Sequence, residues 1–311
     1  MLPAKECSTV LRDRVCIGTV QFGMRYGVAN TSGQPDPSTV SSLLKYCASV
    51  DLLHFDTAEA YGESESVLGN AFHSLELLDR VKIITKGTFQ SGKHNSLTDK
   101  IHHSLQTLKV PKLQGWLLHD EKQIDLWNHV LADEAARLIS SSLVGHFGLS
   151  CYEPSFALRG LEETGLSLLQ FPANPFDRRF LRHETLQRLA ACKAGMFVRS
   201  IYLQGLCLMA PEEISPLIPH AKRAVSVLSK FCQERELQRD FFCFHYVLHR
   251  THSLQARLVI GVDSMAQLKR TCALAALTPP ASYFFDEWDA LWPEDIAELV
   301  LPYRWPKQIK A

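Results

Sequence analysis

Eight short apolar runs, each followed by a longer amphipathic stretch, constrain this chain more than any other feature of it. They fall at 15–18 (VCIG), 52–56 (LLHFD), 81–85 (VKIIT), 115–119 (GWLLH), 143–149 (LVGHFGL), 166–171 (LSLLQF), 196–201 (MFVRSI) and 258–261 (LVIG). Near-continuous apolar runs of this length read as strands buried on both faces, which is the condition of a parallel sheet covered by helices. After the first run the starts are roughly 30 residues apart, the length of one strand plus one crossover helix. The segments between them carry helical signals. Asp36 and Pro37 open the stretch 37–50, and Leu97, Ile101, Leu105 and Leu108 recur at helical spacing in 96–108.

Eight alternating units without a Pro/Gly/Ser-rich linker predict a single-domain (β/α)8 TIM barrel over about residues 15–278. A doubly wound open sheet is the competing architecture; binding a dinucleotide would require GxGxxG after the first strand, and GTVQFGMRYG there does not supply it. The long interval 202–257 predicts extra structure before the last strand. The tail 279–311 contains Tyr283, Phe284, Phe285, Trp288, Trp292, Tyr303 and Trp305, too aromatic a set for a solvated end, and is expected to pack on the barrel.

Composition narrows the partners. Among 311 residues, 33 Lys and Arg balance 33 Asp and Glu, and 46% are hydrophobic, which is a globular profile without the excess positive charge that a nucleic-acid surface needs. The nine cysteines include no CxxC pair, their number is odd, and residues 1–14 carry no apolar h-region; a reducing, cytoplasmic setting is expected. No window approaches the roughly 18 apolar residues of a membrane span.

In a barrel of this type the active site forms at the C-terminal ends of the strands, so polar residues that end successive runs become neighbours. Asp56 ends the second run, Tyr61 follows in the loop, Lys86 ends the third and His119 the fourth. Each alone has a plain structural reading: a cap, a loop aromatic, a snorkelling strand end, a core histidine. Together they suit proton transfer at a carbonyl oxygen. A phenol with a pKa of about 10 exchanges protons poorly at neutral pH, a nearby ammonium lowers that value, and a carboxylate holds the ammonium in place. A histidine can orient the carbonyl, but hydride has to come from a cofactor.

These residues lie in HFDTAEAYGESE (54–65), ITKG (84–87) and LLHD (117–120), segments that resemble the aldo-keto reductase superfamily, whose Asp, Tyr, Lys, His tetrad matches Asp56, Tyr61, Lys86 and His119. The likeness continues through GTVQFGMRYGVAN, Gly148 to Ser150, Gln170 with FPANP, and VIGVDSMAQL. It implies a barrel that binds NADPH or NADH without a Rossmann domain and turns over a small carbonyl or alcohol substrate. On the same basis Ser150 and Gln170 would hold the nicotinamide carboxamide, and Asp56 and the main chain at Thr19 its ribose. Ser200, Leu206, Gly261, Asp263, Gln267 and Leu268 would hold the pyrophosphate and adenosine.

Three departures from the family pattern stand out: Cys151 replaces an asparagine, Arg199 stands where a tyrosine stacks on nicotinamide, and the 2′-phosphate region holds Gly261, Asp263 and Gln267, with Lys269 and Arg270 close by. NADPH is favoured on family usage. The alternative function is a nicotinamide-binding regulatory protein on the same barrel, and a third reading is a phosphate-metabolising barrel without nicotinamide. Asp120 either faces the pocket, favouring hydroxyl-rich substrates, or caps the next helix. Met24, Arg25, Tyr26, Arg178 and Arg179 either line the mouth, the arginines then suiting an anionic substrate, or are loop residues in solvent. His245 and His249, one helical turn apart beside Cys243 and His252, have metal-ligand spacing, but no acidic partner is evident and no metal is expected.

Overall fold

The computed structural model describes residues 9–89, 96–293 and 295–306. The eight strands are β1 (Val15–Gly18), β2 (His54–Asp56), β3 (Lys82–Gly87), β4 (Leu113–Leu118), β5 (Val144–Ser150), β6 (Leu168–Pro172), β7 (Gly195–Arg199) and β8 (Arg257–Gly261). They pair in sequence order into a closed parallel barrel, the last strand returning to the first from Val15 against Leu258 to Gly18 against Gly261. An open doubly wound sheet would leave two edges unpaired; here none of the eight strands is an edge.

Strand limits differ locally from those expected. β3 runs on through Gly87 because Lys86 and Gly87 continue the ladder against Leu117 and Leu118. β7 stops at Arg199 because Ser200 takes a left-handed φ of 63°, which breaks the extended backbone. The helices start where their caps put them. Asp36 accepts hydrogen bonds from the Ser38 and Thr39 amides at the head of Pro37–Ser49, and Ser96 accepts one from Asp99 ahead of Leu97–Leu108.

The barrel axis is filled by Cys16, Ile84, Leu117, Leu168 and Phe197, with Val259 beside them. Leu168 uses the space that Gly115 and Gly195 leave: a Cβ at those positions would lie 2.2 and 2.6 Å from its methyl carbons. The barrel is therefore a packed core whose chemistry is confined to its rim.

The interval before β8 holds two helices, Ala221–Glu234 and Arg239–Arg250. The second buries Phe242 to Val247. His245 packs against the rings of Phe241 and Phe244, at centroid distances of 4.5 and 5.1 Å, and His249 against Phe285 at 5.0 Å. Among the described residues no group of three or more His, Cys, Asp or Glu is arranged to hold an ion.

The aromatic tail packs on the loop after β6. Trp288, fully buried, donates its indole N–H to the Pro175 carbonyl at 2.8 Å, and Phe176 meets both Trp288 and Trp292 edge-on. Farther on, Tyr303 packs edge-on against Tyr152 at 5.0 Å, which brings the tail to the loop after β5. No described helix is long and apolar enough to cross a membrane. The eight described cysteines are free thiols; Cys7, with the rest of residues 1–8, lies outside the described residues.

Candidate active site

All four tetrad positions come together at the C-terminal ends of the strands. Lys86 is completely buried and uses all three of its N–H donors: on Asp56 Oδ1 at 2.7 Å, Asp56 Oδ2 at 2.8 Å and the Thr57 carbonyl at 2.8 Å. Gln170 from β6 donates to the same carboxylate at 2.6 Å, so Asp56 is fixed from two sides of the barrel. The Lys86 ammonium lies 4.8 Å from the centre of the Tyr61 ring, and His119 meets that ring edge-on at 5.6 Å.

The loop bearing Tyr61 is held by contacts that the sequence alone did not single out. Thr19 donates its hydroxyl hydrogen to the Asp56 carbonyl at 2.9 Å, Ser64 donates to the Thr19 carbonyl at 2.9 Å, and Thr57 donates to Ser64 at 2.9 Å. These buried hydroxyls tie the ends of β1 and β2 to the helix Ser64–Ser74. Gly23 lets the loop approach closely: a Cβ there would sit 1.9 Å from the Tyr61 carbonyl oxygen. Glu65 accepts a hydrogen bond from Thr85 at 2.6 Å, adding a fastening to β3. The only sequence signal for this network is the density of small hydroxyl residues and glycine around Tyr61.

Electrostatics set the protonation states. Burial lowers the His119 pKa to about 3, helped by the charges of Lys86 and Arg199, so the imidazole is neutral at ordinary pH. Burial pushes the Tyr61 phenol above its usual value, and the Asp56 charge adds to the rise. This direction is opposite to the one expected from Lys86 alone. The ammonium is matched by a carboxylate in hydrogen-bond contact, and the low-dielectric setting penalises the phenolate. Burial also lowers the Lys86 pKa, with Asp56 opposing it.

The expected cofactor positions are placed unequally. Ser150 and Gln170 pair across β5 and β6, their side-chain oxygens 3.5 Å apart. Gly261, Asp263 and Gln267 gather at the end of β8, where Gln267 accepts the Asp263 amide at 3.0 Å. Leu206 and Leu268 are wholly buried, and their amides donate to the Leu203 and Ser264 carbonyls. The Thr19 side chain is occupied with Asp56 and Ser64, and Ser200 stands beside the Arg199 guanidinium at 3.5 Å. Arg270 is bound to Asp240 at 2.6 Å and to Gln238, while Lys269 lies over the Tyr46 ring at 5.8 Å.

At the mouth, Arg178 pairs with Asp289 at 3.1 Å and its amide with Asp295; Arg179 pairs with Asp177 at 2.8 Å and Glu153 at 3.1 Å. Arg178 therefore fastens its loop to the tail, and Arg179 fastens it to the loop after β5. Asp120 accepts the Lys122 amide at 3.0 Å and heads the turn Glu121–Leu126, which is the capping alternative. Met24 and Arg25 are exposed, and Tyr26 is half-buried.

A closed (β/α)8 barrel with a carboxylate, ammonium, phenol and imidazole at its C-terminal rim defines the class of molecule. The chain belongs to the aldo/keto reductase family, a family of oxidoreductases, whose model matches residues 14–293. Among solved structures, the holo form of an aldo-keto reductase from Bacillus halodurans is similar with a TM-score of 0.73 and 16% identity, over 94% of this chain and 95% of that one. A Klebsiella pneumoniae aldo/keto reductase in complex with NADP and acetate gives 0.68 and 17%, over 90% and 91%. An aldo-keto reductase of Pseudomonas aeruginosa gives 0.61 and 21%, over 85% and 89%. At these identities the likeness is one of fold. No curated protein sequence matches the chain.

Proposed function

We propose that the protein is an NAD(P)H-dependent reductase of aldehydes or ketones, able to run in reverse on the alcohols, with Tyr61 as the proton donor and acceptor. The observation that carries this reading is the Lys86 ammonium, saturated by Asp56 and Thr57, lying against the Tyr61 ring opposite a neutral His119. Tyr61 holds its proton until a substrate oxygen gains negative charge, and then gives it up. Lys86 stabilises the phenolate that this leaves, and Asp56 keeps the lysine charged and aimed. His119, neutral, donates a hydrogen bond that orients the carbonyl oxygen toward Tyr61.

A bound nicotinamide cofactor supplies the hydride that no side chain can. The residues present fit such a group. Gln21 has a buried side-chain oxygen without a hydrogen-bond partner among the described residues, beside Gly261 where β1 and β8 meet. Gln170 and Ser150 keep oxygen atoms available for an amide. The helix Met265–Ala276 begins at the end of β8 and offers its N-terminus to phosphate. NADPH is the favoured form on family usage and NADH the alternative. The free thiols support a reducing, cytoplasmic setting.

A panel of aldehydes with NADPH and with NADH, followed by loss of the reduced-nicotinamide absorbance, tests the reading. Turnover on at least one aldehyde is expected. Cofactor binding without turnover across the panel would instead indicate the regulatory alternative.

A further inference from the structure

The arginine that matters most at the mouth is the one the sequence placed on the cofactor. Arg199 ends β7, and its side chain reaches past β6 to the loop after β5. It donates to the Cys151 carbonyl at 3.2 Å and to the Ser200 hydroxyl at 3.5 Å, and lies over the Tyr152 ring at 4.1 Å. Tyr303 of the tail meets that ring edge-on at 5.0 Å. The guanidinium is thus held in place by a ring and a carbonyl. Among the described residues no carboxylate lies within ion-pair distance of it, whereas Arg178 and Arg179 nearby are each matched to acids.

The charge balance of the site follows. Asp56 and Lys86 cancel, His119 is neutral, and the acids of the adjoining loop are engaged elsewhere, Glu121 on the Tyr152 and Glu153 amides and Glu153 on Arg179, so that among the described residues Arg199 has no carboxylate in direct contact. Arg199 is the last residue of β7, so its charge stands on the same rim of the closed barrel as Asp56, Lys86 and His119 at the ends of β2, β3 and β4. A partly buried, unmatched guanidinium is costly to the fold unless something supplies the missing anion. Five N–H donors, only two of them engaged and one of those at a long distance, leave a fork open to an oxyanion.

We infer that Arg199 is a specificity residue for an anionic carbonyl substrate, one that carries a carboxylate or phosphate group close to the carbonyl that Tyr61 and His119 receive. This rests on the reading of the site as a carbonyl reductase. Arg199 binds the anion, and the distance between that anchor and Tyr61 selects how far along the substrate the carbonyl sits. No residue of the tetrad is asked to change its role.

Two matched pairs test this: succinic semialdehyde against its methyl ester, and glyceraldehyde phosphate against glyceraldehyde. Within one or both pairs the anion should have the higher kcat/KM by about tenfold or more, as expected for a charge-assisted contact. The ratio should collapse toward one in Arg199→Met and be partly kept in Arg199→Lys. Which pair responds tells carboxylate from phosphate. A binding arm needs neither turnover nor a variant. In isothermal titration of the protein loaded with NADP, succinamate should bind and the neutral, isosteric succinamide should not.

Equal kcat/KM within both pairs, with equal binding of the two amides, overturns the inference and leaves the reductase reading intact. An Arg199→Met variant that loses NADPH affinity but keeps the anion-to-neutral ratio overturns it as well, assigning Arg199 to the cofactor. Absence of turnover on all four compounds and on the wider aldehyde panel counts against the reductase reading, and equal binding of the two amides in the titration then overturns the inference as well.

Discussion

Lys86 and Asp56 form a two-pronged ion pair, with N···O distances of 2.7 and 2.8 Å, buried where β2 and β3 end. The pair joins neighbouring strands and sets the ammonium 4.8 Å from the centre of the Tyr61 ring. It is a structural fastening and, on the function proposed above, a source of chemistry, and substitution separates the two effects.

Asp56→Asn leaves the ammonium buried beside a neutral amide. Removing one partner of a buried pair costs about 3–5 kcal/mol, so the variant should unfold at clearly lower denaturant than the wild type. The double variant Asp56→Asn, Lys86→Met removes the orphaned charge and should be more stable than Asp56→Asn alone, although inactive. Additive losses in the double variant would contradict the pairing.

Gly23→Ala tests the approach of the loop. The added Cβ would fall 1.9 Å from the Tyr61 carbonyl oxygen and 2.3 Å from the Ser64 amide nitrogen, both main-chain atoms that cannot rotate away. The loop has to move, and a shift near 1 Å at a reacting group can cost about 100-fold in rate. We expect a folded protein whose kcat is lower by tenfold or more, with NADPH affinity changed less. Unchanged kcat would show that the loop's position is not limiting.

Acid should weaken the fold before its carboxylates are titrated. Burial lowers His54 to about 4, His119 to about 3 and His245 to about 4, against about 6.5 in an unfolded chain. Below about pH 6.5 the unfolded state takes up protons that the folded state refuses. The stabilisation is therefore complete above that pH and is lost as pH falls toward the folded values, by up to about 1.4 kcal/mol per pH unit for each histidine. The melting temperature should drop between about pH 6.5 and about pH 5. A flat profile over that interval would contradict the burial of these rings as neutral groups.

The barrel was legible because its strands are buried on both faces, so eight apolar runs stand out against amphipathic helices. Asp56, Tyr61, Lys86 and His119 were legible because strand ends of a barrel converge by topology. What surrounds them was not. Thr19, Thr57 and Ser64 act through hydrogen bonds between segments far apart in sequence, and a hydroxyl residue in a loop carries no sign of its partner. Arg178 and Arg179 had two open readings, mouth or solvent, because the acids that hold them, Asp289 and Asp295 for Arg178 and Glu153 for Arg179, lie on other segments of the chain. That Leu206 and Leu268 are buried is likewise visible only in the fold. The direction of the Tyr61 shift differs from the one expected for a related reason: spacing shows that an ammonium and its carboxylate are near, but not that burial of the phenol outweighs them.

The central claim is that Tyr61 transfers the proton. The most direct measurement compares Tyr61→Phe with wild type for single-turnover reduction of the best aldehyde, alongside NADPH affinity by quenching of tryptophan fluorescence. The expected result is a rate lower by at least about 100-fold, the scale of a lost general acid, with cofactor affinity and melting temperature little changed. Reduction at near wild-type rate by Tyr61→Phe would contradict it and move the proton transfer to another group.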